Sequence, residues 1–156
     1  MAPSMQPGSG SFGAKLGLTY LWQNDLFSAG GQTNALIRIN DNDRDYKLGN
    51  VYDLTGWLAI KTTDYLSFSV RGEANYVDET EGMKTQFNPM MSTTTDPKNS
   101  GGFKANMGLG ANFLVPGKTL KGLRFGVEVN LPLYQDLNGV QLQNDYALTF
   151  GTQYSF

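Results

Sequence analysis

The residues best suited to chemistry in this 156-residue chain are three charged side chains that fall on one phase of alternating segments, Arg71, Glu73 and Glu128. Carboxylates around a cation could form an acid–base site, but the chain contains no His and no Cys. The usual general base, the commonest zinc ligand and the thiolate nucleophile are therefore missing, and no Ser-His-Asp or Asp-His arrangement can be built. A structural ion-pair network is the expected role of the three, in a chain expected to be non-enzymatic and without a cofactor. The run Asn40-Asp41-Asn42-Asp43-Arg44-Asp45 places Asp41, Asp43 and Asp45 at the spacing that opens an EF-hand loop. Tyr46 stands where that loop needs its tight-turn glycine and Tyr52 where it needs a bidentate Glu. A solvated loop is the default there, and a weak surface cation site is the alternative. Gly13, Gly17, Gly108 and Gly110 precede no helix, so they are not phosphate loops; they fit a crowded face or kinks in a curling sheet. Pro89-Met90-Met91 reads as loop packing, or as part of a plug.

The elements that must position these residues are strands. Six segments alternate with period two: Phe12–Trp22, Tyr52–Thr62, Leu66–Tyr76, Phe103–Val115, Leu123–Leu131 and Tyr146–Phe156. Their charged residues are Lys15, Asp53, Lys61, Arg71, Glu73, Lys104, Arg124 and Glu128, and all eight fall on the phase opposite the apolar one. With 19 glycines and many aromatics, the composition is that of an all-β chain with many turns. Residues 23–51 and 77–102 read as long polar loops, with short links around Thr63 and Gly117 and a tighter tip at Asp136-Leu137-Asn138-Gly139. Residues 1–11 form an N-terminal segment, and 1–156 reads as a single domain or barrel half with no internal boundary. The net charge is −2 with signs interspersed, so no basic patch points to nucleic acid. No window reaches the ~20 apolar residues of a spanning helix, and the N-terminus lacks the regions of a signal peptide, as expected of a mature or truncated form.

Alternation leaves the direction of the apolar phase open: inward in a soluble barrel, outward in a membrane barrel. Three features favour outward. The polar phase carries Arg71, Glu73, Asn112, Arg124, Glu128 and Asn130, suited to line a lumen, although a solvated outer face explains the charges equally well. Aromatics gather at segment ends, with Tyr20, Trp22, Tyr52, Tyr76, Phe103 and Tyr146 expected at the long-loop end and Phe12, Tyr154 and Phe156 at the other. The chain also ends on a strand with Leu148, Phe150, Tyr154 and Phe156 in phase, which looks like the signal that a barrel-assembly machinery reads. The expected fold is an antiparallel transmembrane β-barrel with six strands in this chain and its C-terminus on the short-turn side.

Three motifs carry a resemblance. Met5-Gln6-Pro7-Gly8-Ser9-Gly10-Ser11 with Gly17-Leu18-Thr19-Tyr20 is the first, and Asn42-Asp43 with Tyr46-Lys47-Leu48-Gly49 is the second. Leu133-Tyr134-Gln135-Asp136-Leu137-Asn138-Gly139-Val140-Gln141-Leu142, running on to Tyr154-Ser155-Phe156, is the third and most specific. Together they resemble the second half of outer-membrane "meta-pathway of phenol degradation" transporter-like proteins. The resemblance implies a Gram-negative outer-membrane location, lipid and lipopolysaccharide as surroundings, and passage of small hydrophobic or aromatic molecules. It also implies a chain about twice as long. Six strands are too few to close a barrel, whose bacterial minimum is about eight. The chain is thus expected to be half of a roughly twelve-stranded barrel, completed by an N-terminal half or closed by further copies of itself. The alternatives are a structural or surface-interaction barrel with a blocked lumen that acts through its long loops, and a soluble β-barrel binding an apolar ligand.

Overall fold

The computed structural model describes residues 10–42, 46–82, 96–117, 120 and 122–155. They form a single antiparallel sheet in simple meander order: β1 (Gly13–Gln23), β2 (Phe27–Arg38), β3 (Val51–Lys61), β4 (Leu66–Val77), β5 (Gly102–Leu114), β6 (Leu123–Leu137) and β7 (Ala147–Tyr154). A short 3-10 turn at Pro97–Asn99 is the only helical element among the described residues. No helix is long and apolar enough to cross a membrane, which says nothing about crossing by strands. The sheet is open, with β1 paired only to β2 and β7 only to β6 among the described residues.

Four of the six expected segments appear within one residue of the expected bounds, the last ends at Tyr154 with Phe156 outside the described residues, and β6 runs on to Leu137. The expected loop 23–51 is corrected: it holds a whole strand, β2, and splits into a turn at 24–26 and a loop at 39–50. The reason is the small residues on its apolar phase. The positions of β2 that share the apolar face are Ala29, Gly31, Thr33 and Ala35, small residues flanked in register by Trp22 and Leu58, Tyr20 and Gly56, Leu18 and Leu54, and Leu16 and Tyr52. Small side chains on that face give β2 weak hydrophobic alternation although its pairing with β1 and β3 is complete.

The β6 strand passes Pro132 because the register shifts there. Asn106 pairs with Pro132 and Ala105 with Tyr134, leaving Leu133 as the extra residue of a bulge. Proline has no N–H to give a ladder, and a bulge is one of the few strand positions that tolerates it.

The seventh strand alters the direction of β1. Connections 24–26, 62–65 and 115–122 lie on one side with the end of β7, and 39–50, 78–101 and 138–146 lie on the other with the start of β1. The C-terminal strand ends on the short-turn side as expected. The aromatic ends need correction, since Phe12 is at the long-loop end while Tyr20 and Trp22 lie toward the short-turn end. Exposed rings still mark both ends: Phe12, Tyr52, Tyr76, Phe103, Tyr134 and Tyr146 at one, and Trp22, Tyr65, Phe68, Phe113, Phe125 and Tyr154 at the other. Tyr52 and Tyr76 stack with ring centres 6.2 Å apart, and Phe103 meets Tyr134 at 6.1 Å.

Candidate functional site

In an antiparallel sheet, directly paired residues share a face. Followed strand by strand, the register puts Lys15, Asp53, Lys61, Arg71, Glu73, Lys104, Arg124 and Glu128 on one face, with Arg38 of β2 beside them. The other face carries Leu18, Leu54, Val70, Leu109, Val127 and Phe150, all of them exposed. The only buried hydrophobic residue among those described is Tyr46, in the loop between β2 and β3. The sheet therefore has no apolar core of its own.

The glycines show which face is crowded. On the polar face, a Cβ built at Gly17 would lie 2.5 Å from Asn34 Oδ1, at Gly110 2.5 Å from Ser69 Oγ, and at Gly126 2.9 Å from Asn112 Oδ1. At Gly30 it would overlap the Trp57 ring. On the apolar face, Gly31 and Gly56 meet only backbone at 3.7 and 3.9 Å, and Gly72 meets nothing within 4 Å. Such one-sided crowding is what a sheet curling around its polar face produces.

The centre of that face is a charged network that spans three strands. Arg71 of β4 sends Nη1 to Glu73 Oε1 at 3.0 Å and Nη2 to Glu128 Oε1 on β6. Strands two apart in a sheet are separated by roughly 10 Å, so this contact must pass over β5. The residue beneath it is Gly108, where an added Cβ would lie 3.2 Å from Glu128 Cδ and 3.5 Å from Arg71 Cβ. Asn130 donates from Nδ2 to Glu73 Oε2 at 3.2 Å. Next to this cluster, Asn75 Nδ2 reaches Asp53 Oδ1 at 2.5 Å. Arg71, Glu73 and Glu128 are each 26–36% exposed, so the network is sheltered yet reachable by water.

Four of the six expected lining residues, Arg71, Glu73, Glu128 and Asn130, thus meet in one network. Asn112 and Arg124 share the face but sit toward the short-turn end, where with Lys61, Ser67 and Gln23 they border a cleft of about 350 Å³. Arg124 makes no ion pair with any described residue. Sequence reasoning overlooked Trp57, which lies over Gly30 on the polar face. Its phase with Asp53 and Lys61, opposite Leu54 and Leu58, was the available signal.

The remaining expected positions lie apart. Asp41 is exposed, Asp43 and Asp45 fall outside the described residues, and no cluster of three or more possible metal ligands occurs among the described ones. Leu148, Phe150 and Tyr154 stand exposed on β7, and Phe156 falls outside the described residues, as do Pro89, Met90 and Met91.

The long-loop side is fastened by hydrogen bonds. Lys47 and Glu81 exchange two backbone bonds of 2.9 Å, and Asn50 Nδ2 donates to Asp78 Oδ2 at 3.0 Å. Asn138 Nδ2 donates to Glu79 Oε1 at 3.1 Å, Gln141 Nε2 to the Gly101 carbonyl at 2.7 Å, and the Val140 amide to Asn99 Oδ1 at 2.8 Å. Three connections are joined in this way, and Tyr46 in the first of them is 2% exposed.

An open, all-antiparallel, seven-stranded meander with one charged and one apolar face is the class that these features define. No family model, curated protein or solved structure matches the chain.

Proposed function

We propose that this chain is a section of a bacterial outer-membrane β-barrel whose apolar face meets lipid and whose charged face lines a passive route for small molecules. The observation that carries the reading is the placement of the large apolar side chains: Leu18 is 72% and Phe150 74% exposed, while the charged network is the sheltered part. Water on so continuous an apolar face would be unfavourable by ~25 cal/mol per Å² of apolar surface, whereas hydrocarbon would solvate it. A charged face inside such a barrel avoids the ~2–4 kcal/mol that an Arg or Lys costs at mid-bilayer. The rings at both strand ends suit the two headgroup levels. The three motifs that resemble the phenol meta-pathway transporter-like proteins point to hydrophobic or aromatic cargo.

The two tryptophans test the assignment, because Trp22 stands on the apolar face and Trp57 on the polar one. In vesicles of brominated phosphatidylcholine, the Trp57→Phe variant, which reports Trp22, should be strongly quenched by lipid. The Trp22→Phe variant, which reports Trp57, should respond to aqueous acrylamide and little to bromine. Equal response of both to bromine, or quenching of Trp57 alone, overturns the reading.

The fastened long-loop side supports a second reading, in which the loops bind a partner at the cell surface. Deleting 78–101 separates the two: loss of partner binding at unchanged conductance favours the loops, and altered conductance favours the route.

A further inference from the structure

Among the described residues, two edges of the sheet carry unpaired backbone groups, on β1 and on β7. Seven antiparallel strands have an odd parity: neighbours alternate in direction, so β1 and β7 point the same way. A second copy inserted in the same orientation would bring β7 beside its β1 as a parallel pair. Pairing β1 with β1, or β7 with β7, would be antiparallel but would put the long loops of the two copies on opposite sides. Neither gives a like-oriented, all-antiparallel ring. Only an odd number of additional strands does.

The glycines of the polar face supply an independent observation. Where the paired neighbour carries a side chain it covers the glycine: Asn34 of β2 covers Gly17 on the edge strand β1, and inside the sheet Ser69 covers Gly110 and Asn112 covers Gly126. Gly151 shares that face on β7, in register with Gly126, and nothing lies within 4 Å of its Cβ position. Its one paired neighbour, Gly126, has no side chain, so this open socket could be covered only from a strand beyond β7. At the other edge Lys15 faces the polar side of β1 and makes no ion pair with any described residue.

We infer that the free edges of β1 and β7 dock an odd-numbered set of antiparallel β-strands supplied by polypeptide other than a like-oriented copy of this chain. The inference rests on the lipid-facing assignment proposed above, because in hydrocarbon each unpaired edge group costs several kcal/mol and the edges cannot stay open. The docking strands alternate apolar and polar residues. The one beside β7 places a polar-face side chain over Gly151, and the one beside β1 offers a carboxylate to Lys15.

The test uses the photo-cross-linking residue p-benzoylphenylalanine in place of Leu18 on β1, Leu148 and Phe150 on β7, or Val70 on the central strand β4, in the chain in its native membrane. The expected result is adducts from both edges and none between chains from Val70. Sequencing of the adducts should find alternating strand peptides foreign to this chain, with the sites cross-linked to Leu148 and Phe150 in reversed order, as antiparallel pairing requires. Adding Gly151→Leu fills the socket and should lower the yield at Phe150 by about tenfold, the equivalent of ~1.4 kcal/mol of overpacking, with the β1 adducts unchanged. Unchanged β1 adducts also show that this variant folds. An adduct joining a Leu18 peptide to a β7 peptide of the same chain overturns the inference. So does the absence of edge adducts together with fast amide exchange along β1 and β7. Failure of the lipid-facing assignment is read separately, from the bromine quenching of Trp22.

Discussion

Replacing Arg71 with Met keeps the apolar stem and removes the charge that Glu73 and Glu128 share. Deleting one partner of a fully buried pair costs about 3–5 kcal/mol, because the other charge is left without compensation. A fully exposed pair is worth about 0–1 kcal/mol. The three side chains are 36%, 27% and 26% exposed, which puts the expected loss between those limits, at about 1–2 kcal/mol after discount for solvent screening. The loss comes mainly from two carboxylates left facing each other over Gly108, so neutralising one should restore part of it. The double variant Arg71→Met, Glu128→Gln should therefore be more stable than Arg71→Met alone, with a coupling inside the ~0.5–3 kcal/mol range of residues that share a network. Reversible urea unfolding in lipid vesicles, followed by tryptophan fluorescence, reads both quantities. A loss below ~0.3 kcal/mol for Arg71→Met, or no recovery in the double variant, would refute the idea that this network braces β4, β5 and β6.

Glycine substitutions should separate the two faces: Gly30→Ala strikes the Trp57 ring and the Tyr20 carbonyl and should cost about 1–3 kcal/mol, while Gly72→Ala meets nothing and should be neutral or gain ~0.5 kcal/mol. Equal unfolding midpoints for the two would contradict the crowding described. Val70→Arg on the apolar face should cost ~2–4 kcal/mol when the chain is folded in lipid and little in water, a difference absent if that face is never lipid-exposed. Arg71→Glu or Arg124→Glu should shift ion selectivity toward cations in a planar-bilayer recording, and unchanged reversal potentials remove those residues from the route. In the 62–65 turn, the hydrogen bond from Lys61 Nζ at 2.9 Å, helped by the ammonium charge, holds the Asp64 carboxyl below the ordinary carboxylate range. A depressed folded-state value contributes stability above the unfolded carboxylate range and loses it as pH falls through the folded value. The carbon-detected titration of Asp64 should accordingly move up in Lys61→Met, and an unmoved midpoint would deny the pair any influence.

Most of the sheet was legible because it alternates strongly. Leu66, Phe68, Val70 and their polar intermediates announce β4, and its charges announce which face they share. β2 was not legible for a reason its neighbours explain. Its polar phase, Gln32, Asn34 and Arg38, and its apolar phase, Phe27, Ala29, Ala35 and Ile37, do alternate, but Gly30 and Gly31 interrupt them at mid-strand. Gly30 is small because Trp57 lies over it, whereas Gly31, on the open apolar face, meets only the Thr55 carbonyl at 3.7 Å. At Gly30 the constraint comes from Trp57 of β3, so part of the signal for β2 lies in its neighbour's sequence. The charged network shows the same limit in another form. Its members were identifiable by phase, yet the meeting of Arg71 with Glu128, 57 positions apart, depends on Gly108 and on β5 lying between them.

The overlooked strand also bears on what the resemblance can say about cargo. The second and third motifs lie mainly in the long-loop side of the fold. Asn42, Tyr46 and Lys47 hold the loop after β2, while Gln135, Asn138, Val140 and Gln141 fasten the connection after β6. The first motif continues into β1, with Leu18 and Tyr20 on its apolar face. Arg71, Glu73, Glu128 and Asn130 belong to none of the three. In this chain the motifs therefore serve to fasten loops and to form an edge strand, apart from the charged network. Under the proposed lumen-lining role, selectivity would lie with the polar face, where Trp57 is paired in register with Arg71 and offers an aromatic surface beside it. Substitutions at Trp57 and Arg71 should alter which solutes pass. Changes at Asn138 or Gln141 should loosen the loops and leave that choice intact.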